Sequence, residues 1–422
     1  MPKRWGDERM MHLPRQCAVL VGGLGTRLGP LTANAPKPLL NCAGRPFLAW
    51  VLRELCRFGI EDIILLAGYK SEHIEAFCAD LAALLPKPVR IRVSVEPEPA
   101  GTGGAVRYAE ALLDDSFLLI NGDSWFDTNL VRYLAAAAHV QEPTLGGVLL
   151  CEVEDCERFG SVVLHGDRVT AFREKQQING PGLINSGIYV LDKRVLDFIS
   201  GVCSLERDVL SVLAERGLLF GYRADGYFVD IGIPSDYARA QIELPARLLR
   251  TAVFFDRDGV LNEDCGHVGS IDRFHWVEGA KDAVRRVNDS GRHAFVVTNQ
   301  AGVAKGMYAE ADVLELHRFM QGEMRAEGIF VDDIRYCPYH PEGSNAAYRM
   351  ASNWRKPGPG MLLDLMEKWQ IPRCGSLFVG DKETDMFAAE AAGVEGLLFE
   401  GGNLCLEIEK ARPGILSPRA SR

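Results

Sequence analysis

A chain of 422 residues, 47% hydrophobic and 25% charged, is long enough for two or three separately buried cores. Its formal net charge of -10 at pH 7 argues against a nucleic-acid partner, although local basic clusters can still hold small phosphorylated ligands, which makes small molecules the expected partners. Eleven cysteines without a C-x-x-C pair, a polar opening "MPKRWGDERMMHLPRQ" and the lack of any bilayer-length apolar run or internal repeat point to a reducing cytoplasm and exclude membrane and solenoid readings.

Strand-like "CAVLV" is followed by helical "PFLAWVLRELCRFG", strand "DIILLAG", a helix, strand "IRVSV", helix "GGAVRYAEALL" and strand "FLLING". Such alternation predicts a mostly parallel sheet with helices on both faces. From about residue 145 the pattern turns strand-rich through "LGGVLLCEV", "GSVVL" and "SGIYVL", so the sheet of this domain is expected to be mixed. At Thr251 the alternation restarts with "AVFFD", helix "GAKDAVRRVND", strand "HAFVVTN", a long helix over 310–327, strand "DIRYC", helix "PGMLLDLMEKW", strand "SLFVGD" and helix "DMFAAEAAG". Two α/β domains are therefore expected, over 16–248 and 249–408, with an extension at 1–15 and a tail at 409–422.

"VGGLGTRLGPLTANAPKPL" follows the first strand and is crowded with Gly22, Gly23 and Gly25. Glycines let backbone N–H groups approach a phosphate chain, and Arg27 and Lys37 can neutralise it. A dinucleotide fingerprint fails on spacing, because position 28 is leucine and no acid lies between Arg27 and Glu54 for a ribose hydroxyl. A Walker A loop fails because no G-K-[ST] closes the stretch, and a plain glycine turn stays open. "NGDSWF" puts Asp123 at a strand end and "FVDIG" puts Asp230 in a similar setting, where two carboxylates can share Mg²⁺ with substrate phosphates. Together with "EPAGTGGA", "FREK" and "LINSGIY", these motifs make residues 16–245 resemble the sugar-1-phosphate nucleotidyltransferases, most closely the heptose-1-phosphate guanylyltransferase branch. The resemblance implies a Rossmann-like domain in which Gly22, Gly23, Gly25, Thr26 and Arg27 hold the nucleoside triphosphate. Lys37 would meet the reacting phosphates and Gly103 the base and ribose. Glu174, Lys175 and Asn185 would hold the sugar phosphate, with Asp123 and Asp230 as metal ligands.

"FFDRDG" places Asp256 and Asp258 after another strand, "VVTNQ" ends a strand with Thr298 and Asn299, "RKPGPGM" supplies Arg355 and Lys356, and "VGDKETDM" supplies Asp381 and Asp385. Strand ends of a parallel sheet converge on one edge, so these groups can meet as a metal-assisted phosphate site. The four motifs, in this order, make residues 251–400 resemble the capless haloacid dehalogenase phosphatases that include heptose-bisphosphate and histidinol-phosphate phosphatases. That resemblance implies Asp256 as nucleophile, forming an aspartyl phosphate, and Asp258 as acid and then base. Thr298, Asn299, Arg355 and Lys356 would hold phosphoryl oxygens. Asp256, Asp258 and Asp381 would be the Mg²⁺ ligands, with Asp385 orienting its neighbours.

Members of that branch commonly carry a zinc loop, and here the sequence departs from it. Cys337 is present in "CPYH", but Tyr339, Ser352 and Trp354 occupy other ligand positions, and one cysteine beside His340 cannot fill a four-ligand site. The loop is expected to hold no zinc and to be packed by Tyr339, Tyr348 and Trp354. The two resemblances together imply a cytoplasmic, bifunctional enzyme making nucleotide-activated heptose for lipopolysaccharide or S-layer glycan. It would remove the 7-phosphate of D-glycero-D-manno-heptose 1,7-bisphosphate and transfer GMP from GTP to the 1-phosphate. Mannose 1-phosphate paired with a histidinol-phosphate-like substrate, and a sugar-nucleotide-sensing regulatory protein, stand as alternatives. The sequence leaves the nucleobase, the anomer and the oligomeric state open.

Overall fold

The computed structural model describes residues 13–417 except 24, 34, 141–142, 157–158, 160 and 174–179. The chain divides into two compact units, Met1–Ala246 and Arg247–Arg422.

In the first unit the strands are β1 (Gln16–Leu20), β2 (Asp62–Ala67), β3 (Arg90–Val95), β4 (Ser116–Asn121), β5 (Gly146–Val153), β6 (Ser161–His165), β7 (Arg168–Arg173), β8 (Gly182–Asp192) and β9 (Leu219–Ala224). They form one nine-stranded sheet in the order β3-β2-β1-β4-β8-β5-β9-β7-β6. The pairs β1–β2, β1–β4, β2–β3 and β5–β9 are parallel, and β8 runs antiparallel to β4 and β5, so the sheet is mixed. The helices are α1 (Phe47–Arg57), α2 (Ser71–Leu84), α3 (Gly101–Tyr108), α4 (Leu130–Ala138), α5 (Ser211–Glu215) and α6 (Pro234–Leu248). Helices cover the parallel strands, which is why β1 and β2 read as near-continuous apolar runs with Cys17, Ala18, Val19, Ile63, Ile64 and Leu65 all buried. Because β1 and β4 are parallel neighbours, the glycine loop after β1 and Asp123 after β4 emerge on one edge of the sheet. A separate ribbon pairs Ser124–Phe126 with Phe228–Asp230, setting Asp230 opposite Ser124.

The second unit is built on β10 (Ala252–Phe255), β11 (His293–Asn299), β12 (Asp333–Cys337), β13 (Leu377–Gly380) and β14 (Glu395–Leu398). All pairings are parallel and the order is β12-β11-β10-β13-β14, the one multi-stranded sheet of this unit among the described residues. Its helices are α7 (Ala280–Asp289), α8 (Glu310–Ala326), α9 (Gly360–Trp369), α10 (Glu383–Ala392) and α11 (Leu404–Ala411). With β10 central between β11 and β13, the residues just beyond these three strands share one edge.

The stretch 409–417 is structured. Helix α11 carries the chain to Ala411, a turn with Gly414 at φ 83° reverses it, and Ile415 and Leu416 are buried in the same apolar cluster as Val253, Val287 and Ile408. Burying these two side chains removes their apolar surface from water. Leu416→Ala is therefore expected to lower the stability of the second unit by about 2–3 kcal/mol, as core leucine truncations do. Urea unfolding of the whole chain, read at the transition of that unit, measures the loss.

Candidate active sites

The glycine loop passes close to β2. A Cβ on Gly22 would lie 2.8 Å from the Gly68 nitrogen, so only glycine lets the two backbones approach. Gly25 has φ 62° and its carbonyl accepts from Thr32 Oγ1 at 3.2 Å, which closes a 3-10 turn over Thr26–Thr32. A Cβ on Gly23 would meet nothing within 4 Å, and Arg27 is exposed, so both face open space.

Lys37 is where this site converges. The residue is 9% exposed, and its ammonium donates to Asp123 Oδ2 at 2.5 Å and to Asp230 Oδ1 at 3.0 Å. The carboxylates are kept side by side by the short ribbon and by the Ile231 N–H, which donates to the Asp123 carbonyl at 3.0 Å. A Cβ on Gly232 would stand 3.0 Å from both Lys37 Nζ and Asp230 Oδ1, so this glycine keeps the pair accessible to each other. Burial works against the Lys37 charge, yet the two carboxylates outweigh it and hold its pKa above the ordinary lysine value. Asp230 is shifted upward, by burial first and by the Asp123 charge next, with Lys37 opposing. Two hard oxygen donors already converging on one positive centre suit a divalent cation.

Other expected residues of this unit stand differently. Gly103 donates its N–H to the Cys203 carbonyl at 3.0 Å, and a Cβ there would come 2.5 Å from Cys203 Sγ. The glycine at 103 thus answers to packing of α3 on the 203 segment. Asn185 donates to Tyr189 Oη at 2.7 Å and accepts from the Gly187 N–H at 3.0 Å, at the irregularity where β8 shifts register. Tyr189, Thr102 and Ser204 hydroxyls then donate to Glu206 at 3.4, 3.0 and 3.1 Å. Glu174 and Lys175 lie outside the described residues.

In the second unit Asp256, Thr298 and Asp381 stand at the ends of β10, β11 and β13. The Asp256 N–H donates to the Val379 carbonyl at 2.9 Å, which fixes it against β13. Lys356 is 3% exposed; its Nζ donates to the Val297 carbonyl at 3.1 Å and is ion-paired at 2.7 Å with both Asp256 Oδ2 and Asp385 Oδ1. Oxygens of Asp256, Asp381 and Asp385 lie within 4.8 Å of one another. Burial pushes the Asp256 carboxyl up to about 7; Lys356 pulls it down, while Asp385 and Asp258 add to the rise. Asp381 Oδ1 is buried without a hydrogen-bond partner, an oxygen that folding leaves unpaired. That orphan, with two more carboxylates in reach, fits a divalent cation. Gly259, at φ 89°, and Gly380 allow the crowding, since a Cβ on either would overlap Asp381 or Asp385.

Among the described residues, the three-acid cluster contains Asp385, and Asp258 stands apart from it. Its carboxylate is engaged by Arg257 Nε and Nη2 at 3.0 and 2.9 Å, by Asn262 Nδ2 at 3.0 Å and by Gln300 Nε2 at 2.8 Å. Arg257 is fully buried, donates to the Val268 carbonyl at 2.6 Å and faces His317 Nε2 at 3.3 Å. Burial and then the Arg257 charge hold His317 well below the usual histidine range, so a neutral ring accepts from the guanidinium.

The Asn299 amide donates to the Lys356 carbonyl at 3.1 Å and accepts from the Lys356 N–H at 3.0 Å, so the side chain positions the lysine backbone with one of its two N–H groups. Arg355 keeps a buried Nη1 without a hydrogen-bond partner, a donor suited to an anionic oxygen. Sequence reasoning missed Arg257, Gln300, Tyr308 and Gly232; "FFDRDG", "VVTNQ" and "FVDIG" contained three of them unremarked. In the 337–355 loop, the Tyr339 and Tyr348 rings lie 6.1 Å apart, and the Tyr336 and Tyr348 hydroxyls both donate to Glu310 at 2.8 Å. Trp354 is 36% exposed, so the third expected packing residue is corrected to a surface position.

Two glycines that the sequence treats alike should separate. Gly103→Ala is expected to destabilise the first unit by about 1–3 kcal/mol through overpacking, with partial recovery when Cys203→Ala is added. Gly23→Ala should leave the melting temperature unchanged and weaken nucleotide binding, measured by calorimetry.

Residues 17–247 match the nucleotidyl transferase family, and residues 353–414 match the HAD-hydrolase-like family. A D-glycero-beta-D-manno-heptose-1,7-bisphosphate 7-phosphatase of Rhodopseudomonas palustris is 46% identical over 155 residues, 37% of this chain and 86% of that protein. A D-glycero-alpha-D-manno-heptose 1-phosphate guanylyltransferase of Aneurinibacillus thermoaerophilus is 34% identical over 232 residues, 54% of this chain and 98% of that protein. Among solved structures, HddC of Yersinia pseudotuberculosis complexed with GMP-PN aligns with a TM-score of 0.48 at 31% identity, covering 54% of this chain and 99% of that one. The chain belongs to the nucleotidyl transferase family through its first unit and to the HAD-like hydrolases through its second.

Proposed function

We propose that this chain is a bifunctional enzyme of nucleotide-activated heptose synthesis. The observation that carries the reading is the pair of separate lysine-aspartate centres, Lys37 with Asp123 and Asp230, and Lys356 with Asp256 and Asp385. Each lies in a unit whose relative is matched over nearly its whole length.

In the second unit a carboxylate oxygen of Asp256 attacks the phosphorus of the 7-phosphate, and the bond to the sugar oxygen breaks. Asp258 gives its proton to that oxygen, then takes one from the water that attacks the aspartyl phosphate, releasing inorganic phosphate and restoring Asp256. Thr298, Arg355 and Lys356 hold the phosphoryl oxygens. In the first unit an oxygen of the sugar 1-phosphate attacks the α-phosphorus of GTP and pyrophosphate leaves. Lys37 and Arg27 offset the charge that builds, and the loop at Gly22, Gly23 and Gly25 aligns the triphosphate. We assign Mg²⁺ to Asp123 and Asp230 and to Asp256, Asp381 and Asp385, where it supplies charge neutralisation when bound. No zinc is assigned to the 337–355 loop. Eleven cysteines, all free, accord with a reducing cytoplasm.

The two relatives are named for opposite anomers, beta for the phosphatase and alpha for the guanylyltransferase. Neither reaction breaks a bond at the anomeric carbon, so one intermediate passed along one chain must keep one anomer throughout. We assign the alpha form to both units.

Asp256→Asn is expected to lower phosphate release at least about a hundredfold while leaving pyrophosphate release from heptose 1-phosphate and GTP unchanged, and Asp123→Asn should do the reverse. Joint loss in a folded variant contradicts two independent sites. With the alpha-1,7-bisphosphate, GTP and Mg²⁺, phosphorus NMR should show inorganic phosphate from the 7-position before GDP-heptose; loss of the anomeric phosphate instead sinks the reading, and product from the beta form alone sinks the anomer. Metal analysis of the purified chain should find less than stoichiometric zinc.

A further inference from the structure

The phosphatase site adjoins a cavity of about 410 Å³ whose walls include His267, Ser270, Arg273, Met307 and Tyr308. Between that cavity and Asp258 stands Gln300, 1% exposed, with its whole amide engaged. Its Nε2 donates to Asp258 Oδ2 at 2.8 Å and to Thr298 Oγ1 at 3.0 Å, and its Oε1 accepts from Tyr308 Oη at 2.8 Å. An amide has two N–H groups and they go one to each reacting-side residue, so the geometry of this single group fixes the distance between Asp258 and the Thr298 hydroxyl.

Tyr308 is itself held with little freedom. A Cβ on Gly269 or on Gly302 would overlap its ring, from two different segments, and neither glycine has a positive φ that would otherwise call for glycine. The two positions are bare because the ring passes between them. A tyrosine set in a slot, with one end on the cavity wall and its hydroxyl on Gln300, links whatever fills the cavity to the Asp258 carboxylate through two hydrogen bonds.

We propose that Gln300 and Tyr308 are positioning residues that aim the Asp258 carboxyl at the leaving oxygen and couple that aim to occupancy of the cavity by the body of the phosphate ester. The proposal rests on the phosphatase reading, with Asp258 as proton donor. Arg257 fastens Asp258 from the protein interior, whereas the Gln300 contact comes from the side of Thr298, where the phosphoryl group binds. A satisfied core amide would serve the fold alone; a positioning amide has an effect that depends on how much the leaving group needs a proton.

The test uses that dependence. Tyr308→Phe keeps the ring in its slot and removes one hydroxyl; Gln300→Leu removes both amide hydrogens at similar volume. For the full-length protein and each variant, kcat/KM is measured on a primary alkyl ester, D-glycero-D-manno-heptose 1,7-bisphosphate, and on p-nitrophenyl phosphate, whose phenolate leaves without protonation. The alkyl-to-aryl ratio of kcat/KM is expected to fall about tenfold or more in Gln300→Leu and by a smaller factor, about threefold, in Tyr308→Phe. Equal losses on both esters, or none on either, overturn the relay. If the unaltered chain ignores the heptose ester but cleaves glucose 6-phosphate, the sugar assignment falls and the ratio is read on glucose 6-phosphate instead. Turnover of the aryl ester alone, or of no ester, removes the proton donor and the relay with it.

Discussion

A buried lysine held between two aspartates is the interaction on which both sites depend, and the chain contains it twice. Lys37 sits between Asp123 and Asp230, and Lys356 between Asp256 and Asp385, each pair drawn from the ends of different elements. Two carboxylates brought together at a sheet edge repel, and burial adds a penalty for each charge. An ammonium between them reverses the sign of the local field. It also fixes the carboxylates relative to each other before any ligand arrives, which is the form of preorganisation that phosphoryl transfer needs. Removing Lys356 strands the buried Asp256 and Asp385 carboxylates, a loss of about 3–5 kcal/mol in comparable buried pairs, whereas the Asp123 and Asp230 side chains, 31% and 29% exposed, lose less. Catalytic geometry and local stability therefore rest on the same group in each unit.

Parallel pairing explains why so much of this was readable in advance. Once β10, β11 and β13 are recognised as neighbours, the residues at their C-terminal ends must meet, and Asp256, Thr298 and Asp381 are those residues. The same holds for the glycine loop after β1 and Asp123 after β4. Composition and alternation were enough for that step because burial on both faces gives parallel strands long apolar runs. What they could not give is which side chain of a motif turns inward. Asn299 and Thr298 are adjacent, yet one anchors the Lys356 backbone and the other receives Gln300. Asp385 rather than Asp258 groups with Asp256 and Asp381, because Arg257, invisible as a partner in sequence, engages Asp258 from within. Trp354, expected to help pack the loop, is 36% exposed, since a large aromatic beside a turn can stay at the surface.

The glycines show the limit most clearly. Read as sequence, a glycine cluster suggests a phosphate cradle, yet of Gly22, Gly23 and Gly25 only Gly23 faces open space, Gly22 making room for the Gly68 backbone and Gly25 for Thr32. Elsewhere in both sites glycine makes room for a side chain of the protein itself: Gly232 for Lys37 and Asp230, Gly103 for Cys203, Gly380 for Asp385, Gly269 and Gly302 for Tyr308. The distinction is one of direction, since a bare α-carbon facing open space invites a ligand and one facing a packed group accommodates that group. Sequence carries no direction. Structure supplies it, and in the second unit it turns two unremarked glycines into an argument about a tyrosine. Slots of this kind fix the ring by packing from two sides, the Tyr308 hydroxyl donates to Gln300, and the order at the wall of the cavity is transmitted to the carboxyl that handles the proton.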